Sequence, residues 1–283
     1  MVQTAFILLL VGIAAGTLGS LLGIGGGMIV TPVLTVFMGL PIQYAIGASI
    51  IAVIATSSGA TIAYLRDDLI NLRVAMFLEI ATTVGAISGA LIAGVIHPLW
   101  LETIFGLFLL YQCFNMVKKL RGKGKKDDAT DVEPDVLSTQ LKLNGAYTDK
   151  VSMEHVDYEV THVKGGFAMM YGAGLASGLL GIGSGVFKVI AMDSIMKMPL
   201  KPSSATSNLM MGVTAAASAT VYFFNGAIKP EIAAPLAIGI LIGAAIGTRI
   251  MPRIQSRVLR MIFVPILLIM GVEMFLKGFG VSF

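Results

Sequence analysis

Long apolar runs separated by short polar stretches dominate the chain. Runs at 2–22, 44–65, 74–96 and 99–117 surround a shorter one at 26–39, and a polar stretch follows at 118–164. The pattern then resumes with 165–180, 186–198, 203–224, 232–251 and 258–276. A bilayer hydrocarbon core about 30 Å thick calls for about 20 apolar residues per helix, a length most of these runs approach. Leu, Ile, Ala, Met and Gly fill them without two-residue alternation, which argues against membrane strands. Backbone groups in lipid must bond within their own segment, leaving helices or broken helices buried in protein. The pattern predicts an all-α integral membrane protein.

Shifting the chain against itself by 158 residues aligns its two halves without a gap. Leu21, Leu22, Gly23, Ile24, Gly25 and Gly27 fall on Leu179, Leu180, Gly181, Ile182, Gly183 and Gly185. The register continues through Pro41/Pro199, Ser49/Ser207, Thr56/Thr214, Tyr64/Tyr222, Gly85/Gly243 and Gly89/Gly247. Apolar composition alone gives scattered Leu and Ile matches, not a run of this kind with Pro, Ser, Thr and Tyr in register. Residues 1–117 and 165–283 therefore read as two copies of a five-segment unit. An odd number of spans per copy makes the second copy enter from the opposite side, giving inverted repeats and ten transmembrane or re-entrant helices.

Composition agrees with this picture. Apolar residues make up 56% of the 283 and charged residues 13%, against about 25% charged in soluble domains. Charge placement tests the inversion. With Lys118, Lys119, Arg121, Lys123, Lys125 and Lys126 on the cytoplasmic side, Arg66, Arg73, Lys197, Lys201, Arg249, Arg253, Arg257 and Arg260 join them. The outer loops keep Lys229, with Lys277 near the C-terminal end, as the positive-inside rule requires. Both termini are then outside. The net charge of +4 is accounted for by this asymmetry and implies no nucleic-acid partner. Cys113, the single cysteine, sits in an apolar run and reads as packing, so neither an intrachain disulfide nor a cysteine metal cluster is expected.

The stretch 118–164 reads as a cytoplasmic linker with a small β element. Leu141–Tyr147 alternates around Asn144-Gly145, a type I′ hairpin signal, and Val156–Val160 also alternates. A plain connector is the default role.

Candidate chemistry lies at the glycine motifs. Gly23-Ile-Gly-Gly-Gly27 and Gly181-Ile-Gly-Ser-Gly185 occupy matched positions, each before a short segment, 26–39 and 186–198. Gly-interrupted or short segments at corresponding places in two halves point to a transporter's binding site. Glycines allow a sharp break and leave the amides uncovered. The helix starting there presents unbonded N–H groups and the positive end of its dipole, which suits a sulfonate, sulfite or carboxylate. The substrate-binding set predicted here is Gly25, Gly26, Gly27, Ser49, Gly183, Ser184, Gly185, Lys188, Thr206, Ser207 and Asn208. Close helix packing and interhelical hydrogen bonding are the competing explanations for the glycines and the hydroxyls. Dinucleotide binding is rejected for want of a βαβ context.

Lys188 stands out as a cation one turn past the second motif in an apolar stretch. Intramembrane cations are costly and mark function. Two roles fit it, counter-charge for an anion or ion pair with Asp193, against the alternative of reaching back to the interface. Asp193 is a candidate for a coupling proton, with Glu79 behind it. His97, His155 and His162 fall in loops and read as solvated. No metal or cofactor is implied.

Together the paired glycine motifs, Lys188-Val189, Met198-Pro199-Leu200-Lys201 and Ala205-Thr206-Ser207-Asn208 resemble the sulfite exporter TauE/SafE family across nearly the whole chain. The resemblance implies a bacterial inner-membrane permease for sulfite, sulfoacetate or a related organosulfonate. The family pattern has a proline after each motif; Pro32 fits, while Ile190 stands at the second position and Ser184 replaces a glycine. The resulting expectation is a secondary transporter working by alternating access. The alternatives are a passive anion channel, a permease for another small anion such as a carboxylate, or a structural protein. An intramembrane enzyme is disfavoured, because the spans offer no histidine and Cys113 has no visible partner.

Overall fold

The computed structural model describes residues 2–22, 25–121, 135–148, 154–250 and 256–279. The first half contains α1 (Val2–Leu22), α2 (Gly27–Pro32), α3 (Ile42–Arg66), α4 (Leu72–Val95) and α5 (Pro98–Arg121). A connecting region follows with α6 (Val136–Gln140), β1 (Gly145–Thr148) and β2 (His155–Tyr158). The second half has α7 (Val163–Leu180), α8 (Gly185–Ile190), α9 (Leu200–Phe224), α10 (Pro230–Ile250) and α11 (Ser256–Gly278).

Element boundaries recur at the spacing of the sequence repeat. The short helices α2 and α8 start at Gly27 and Gly185 and run into π-helical turns, Val33–Phe37 and Ala191–Ile195. Both turns close identically, with the Leu40 amide on the Leu34 carbonyl and the Met198 amide on the Met192 carbonyl. Gly39 (φ 65°) and Lys197 (φ 58°) then take left-handed conformations, and Pro41 and Pro199 lead into α3 and α9. A left-handed residue followed by proline is a helix stop. Pro32 precedes only the first π turn, so proline is not its cause.

Among the described residues, five helices, α1, α3, α4, α5 and α10, are long and apolar enough to cross a membrane. The 25 residues of α9 measure about 37 Å, again sufficient in length. By contrast Gly27–Phe37 reaches only about 16 Å. Their outer faces are apolar: Met76, Ile80, Leu91 and Val95 on α4, and Trp100, Leu107, Tyr111 and Phe114 on α5, are exposed. Such stripes suit lipid, not water.

Tertiary packing crosses between the halves. α1 lies against α10, α4 against α7, α5 against α11 and α3 against α9. Exchanging the two halves maps the first pair onto the second and each of the others onto itself. Small residues make the close seams possible. A Cβ on Gly12 or Gly16 would stand 2.5 Å from the carbonyl of Leu236 or Ile240. On the matching seam, Gly174 and Gly178 of α7 press on the Thr82 and Ala86 carbonyls, and Gly85 and Gly89 on those of Tyr171 and Leu175. Without a hydrophobic driving force in lipid, such backbone approach is what holds helices together.

The connecting region departs from expectation in one respect. β1 pairs antiparallel with β2 in the register Gly145↔Tyr158 to Thr148↔His155, so Asn144-Gly145 opens a strand and is not a hairpin turn. Burial overrides the local turn signal. Leu143, Tyr147, Tyr158 and Val160 form a core with Val74 and Leu78 of α4, Met192 and Met196. Residues 122–134 and 149–153 lie outside the described residues.

Asn71 ties this region down. Its Oδ1 caps α4 by accepting from the Val74 amide at 3.0 Å. Its Nδ2 donates to the Leu143 carbonyl (2.9 Å) and the Tyr158 hydroxyl (3.0 Å). Burial pushes that hydroxyl above the ordinary tyrosine range, with the Asn71 bond pulling the other way, so Tyr158 stays a neutral acceptor. Asn71→Ala removes a cap and two cross-links. It is expected to cost about 2 kcal/mol, read as a lower melting temperature of the purified protein.

Candidate functional site

The two glycine breaks come together in the interior. Gly25 (φ 75°) and Gly183 (φ 72°) hold backbone conformations that L side chains rarely adopt. Both sit against the same pair of side chains, Val53 of α3 and Met211 of α9. A Cβ on Gly183 would lie 2.7 Å from Val53, and one on Gly27 would meet Ser49 Oγ at 2.6 Å and the Gly181 carbonyl at 2.7 Å. The Ser49 hydroxyl lies within hydrogen-bond distance of both breaks, 3.0 Å from the Gly27 carbonyl and 2.7 Å from that of Gly181. Ser207, its counterpart, donates to the Gly185 carbonyl at 3.0 Å. Gly25, Gly26, Gly27, Gly183, Ser184 and Gly185 are all buried.

The two hydroxyls therefore hold the helix starts in place by donating to backbone carbonyls. Other predicted polar residues also have structural partners. Thr206 Oγ1 accepts from the Asn71 amide at 3.0 Å, tying α9 to the start of α4. Asn208 Nδ2 donates to the Ser204 carbonyl at 3.1 Å, and its own carbonyl accepts from the Ser57 hydroxyl. Asp193 is half-buried in the π turn after α8.

Ser184 differs from these. It holds a left-handed conformation (φ 47°) at the N-cap of α8, is 3% exposed, and its hydroxyl has no hydrogen-bond partner among the described residues. Gly26, at the same point of the first copy, is right-handed, and its amide donates to Thr56 Oγ1 at 3.4 Å. Ser184→Gly is expected to gain about 1 kcal/mol from relieved backbone strain. A higher melting temperature of the purified variant is the readout.

Lys188 is fully buried and does not reach back to a surface. Its ammonium donates to Thr214 Oγ1. Thr214 Oγ1 lies 2.7 Å from Glu79 Oε1 on α4, which also accepts from Thr83 Oγ1 at 3.2 Å. The charge of Lys188 is thus met through a threonine bridge by Glu79. Thr214 was legible only as the repeat partner of Thr56, two turns beyond Ser207 on α9. Val53 and Met211, also in register, gave no chemical signal. The 158-residue shift relates Lys188, Thr214 and Glu79 to Val30, Thr56 and Ala237 of the opposite copies. The scaffold repeats; the charge does not.

The profile of the sulfite exporter TauE/SafE family matches residues 8–274. The chain belongs to this family. TauE/SafE relatives include a probable membrane transporter protein of Bacillus subtilis, 25% identical over 96% of this chain and 97% of its own length. A probable membrane transporter protein of Methanocaldococcus jannaschii is 28% identical over 95% of both chains. A third, from Xylella fastidiosa, is 32% identical over 38% of this chain and 41% of its own. No solved structure matches this TauE/SafE chain significantly. Family membership and the apolar helices make it a multi-pass membrane transport protein and not an enzyme.

Proposed function

We propose that this chain is a secondary transporter of a small sulfur-containing anion, sulfite, sulfoacetate or a related organosulfonate, working by alternating access in a bacterial inner membrane. The anion sits where the two glycine breaks meet, with the first amides of α2 and α8, the Ser184 hydroxyl and Lys188 as its donors. The observation that carries this reading is the buried cation of Lys188 one turn from an unpartnered buried hydroxyl, just after the second of two breaks that both pack on Val53 and Met211. The two copies lie in opposite orientations, with both termini outside and residues 118–164 cytoplasmic. Glu79 and Asp193 are the groups available for a coupling proton. Burial of the central residues favours a carrier, closed around its site, over an open channel.

Proteoliposomes holding the purified protein should take up labelled sulfite or sulfoacetate against a concentration gradient. Gly27→Leu, which fills the contact with Ser49 and the Gly181 carbonyl, should reduce flux to background. Equal flux in that variant, inserted to the same level, removes the glycine breaks from the pathway. Strictly downhill flux makes the protein a channel.

A further inference from the structure

Glu79 is an acidic side chain hydrogen-bonded to the Lys188–Thr214 bridge. Its Oε1 accepts from Thr83 and lies 2.7 Å from Thr214 Oγ1, while Oε2 is buried with no hydrogen-bond partner. A buried carboxylate oxygen without a donor is costly, and that cost falls if the oxygen carries a proton. Lys188 and Glu79 together are neutral when both are charged. A substrate anion arriving at Lys188 adds a negative charge to a site from which water is excluded, where unbalanced charge is expensive.

We propose that Glu79 takes up one proton when a monovalent anion binds at Lys188, so that loaded and empty sites carry the same net charge. An O–H bond forms at Oε2 with a proton from water on the side the anion enters. Lys188 keeps its three N–H bonds and turns from the Glu79 bridge to the anion. Release reverses both steps, and one proton crosses with each monovalent anion. This inference rests on the transport reading above and deepens it by naming the coupling group.

Glu79 is the group bonded toward this charge through Thr214. From α8 the facing ionisable group is Lys188; from α9 it is the neutral Thr214, and on α4 itself Thr82 and Thr83. Tyr222 of α9 is engaged with the Gly178 carbonyl at 2.9 Å. Lys164 and Tyr171 on α7, and Lys201 on α9, are exposed. Arg73 at the start of α4 donates to the Lys142 carbonyl. Asp193 lies on the π turn, five residues past Lys188. The positions related to Lys188 and Glu79 by the repeat hold Val30 and Ala237, which form no such charged pair.

The test is calorimetric titration of the purified wild-type protein with 2-hydroxyethanesulfonate and sulfite in two buffers of different ionisation enthalpy. Sulfite values are corrected for its own titration. The expected result is about one proton taken up per sulfonate, with affinity falling about tenfold per pH unit over the range in which that proton is taken up. In Glu79→Gln, proton uptake and pH dependence should both disappear while binding persists. Binding without proton uptake in the wild type overturns the coupling and leaves the transport reading standing. So does proton uptake that survives in Glu79→Gln. If neither anion binds the folded wild-type protein, the transport reading falls and the coupling with it. The wild-type count needs no variant, so it decides the coupling even where Glu79→Gln misfolds.

Discussion

Replacing Lys188 with methionine is expected to reduce anion flux at least a hundredfold, the largest functional effect of any single substitution in the chain. Lys188 is the fully buried cation one turn past the second glycine break, and the other proposed donors, the helix amides and the Ser184 hydroxyl, are neutral. Removing it also leaves Glu79 without its counter-charge, and breaking a buried pair on one side costs about 3–5 kcal/mol. The single variant therefore confounds lost function with lost fold. Lys188→Met combined with Glu79→Gln separates them. Neutralising both partners removes the orphaned charge, so the double variant should recover a monodisperse, wild-type-like protein while flux stays at background. Recovery of flux would show that the anion does not depend on this cation.

The second large effect is on folding, and one helix supplies both the loss and its control. A Cβ on Gly178 would overlap the Ala86 carbonyl, backbone that cannot turn aside. Gly178→Ala forces α4 and α7 apart along their seam, and Gly178→Leu more so. Overpacking costs about 1–3 kcal/mol, and more where backbone is struck, so little folded protein is expected from the leucine variant. A Cβ on Gly172, six residues earlier on α7, would meet nothing within 4 Å. Gly172→Ala should stabilise by about 0.5–1 kcal/mol because it restricts the unfolded chain and favours helix. Opposite shifts in melting temperature from the same exchange on one helix would establish that the seam is set by backbone approach.

Much of the scaffold was legible because membrane segments announce themselves by length and composition. The repeat then carried information from one half to the other: α2 and α8 begin at Gly27 and Gly185, the register the sequence comparison gives. What pairs with what was not legible. Gly12, Gly16, Gly174 and Gly178 look alike in hydropathy whether they face lipid, a neighbour within the copy or the other copy. The candidate site rests on its glycines and on Lys188, which are conspicuous residues in their settings. It was not legible at Thr214, because a threonine in an apolar helix commonly bonds its own preceding carbonyl, as Thr214 also does to Met210. The tie between Thr206 and the Asn71 amide was not legible either, because that partner is backbone 135 residues away and leaves no mark on the sequence.

The cross-half pairing also bears on how the chain is made. Gly12 of α1 meets its seam partner around Gly239 only after 227 further residues have been synthesised. At roughly 5–20 residues per second, that leaves the first helix unaccompanied for about ten to forty-five seconds. During biogenesis its glycine-lined face must be sheltered by lipid or by the insertion machinery. The late arrival of α10, not the insertion of α1, then sets when the amino-terminal half acquires its final structure.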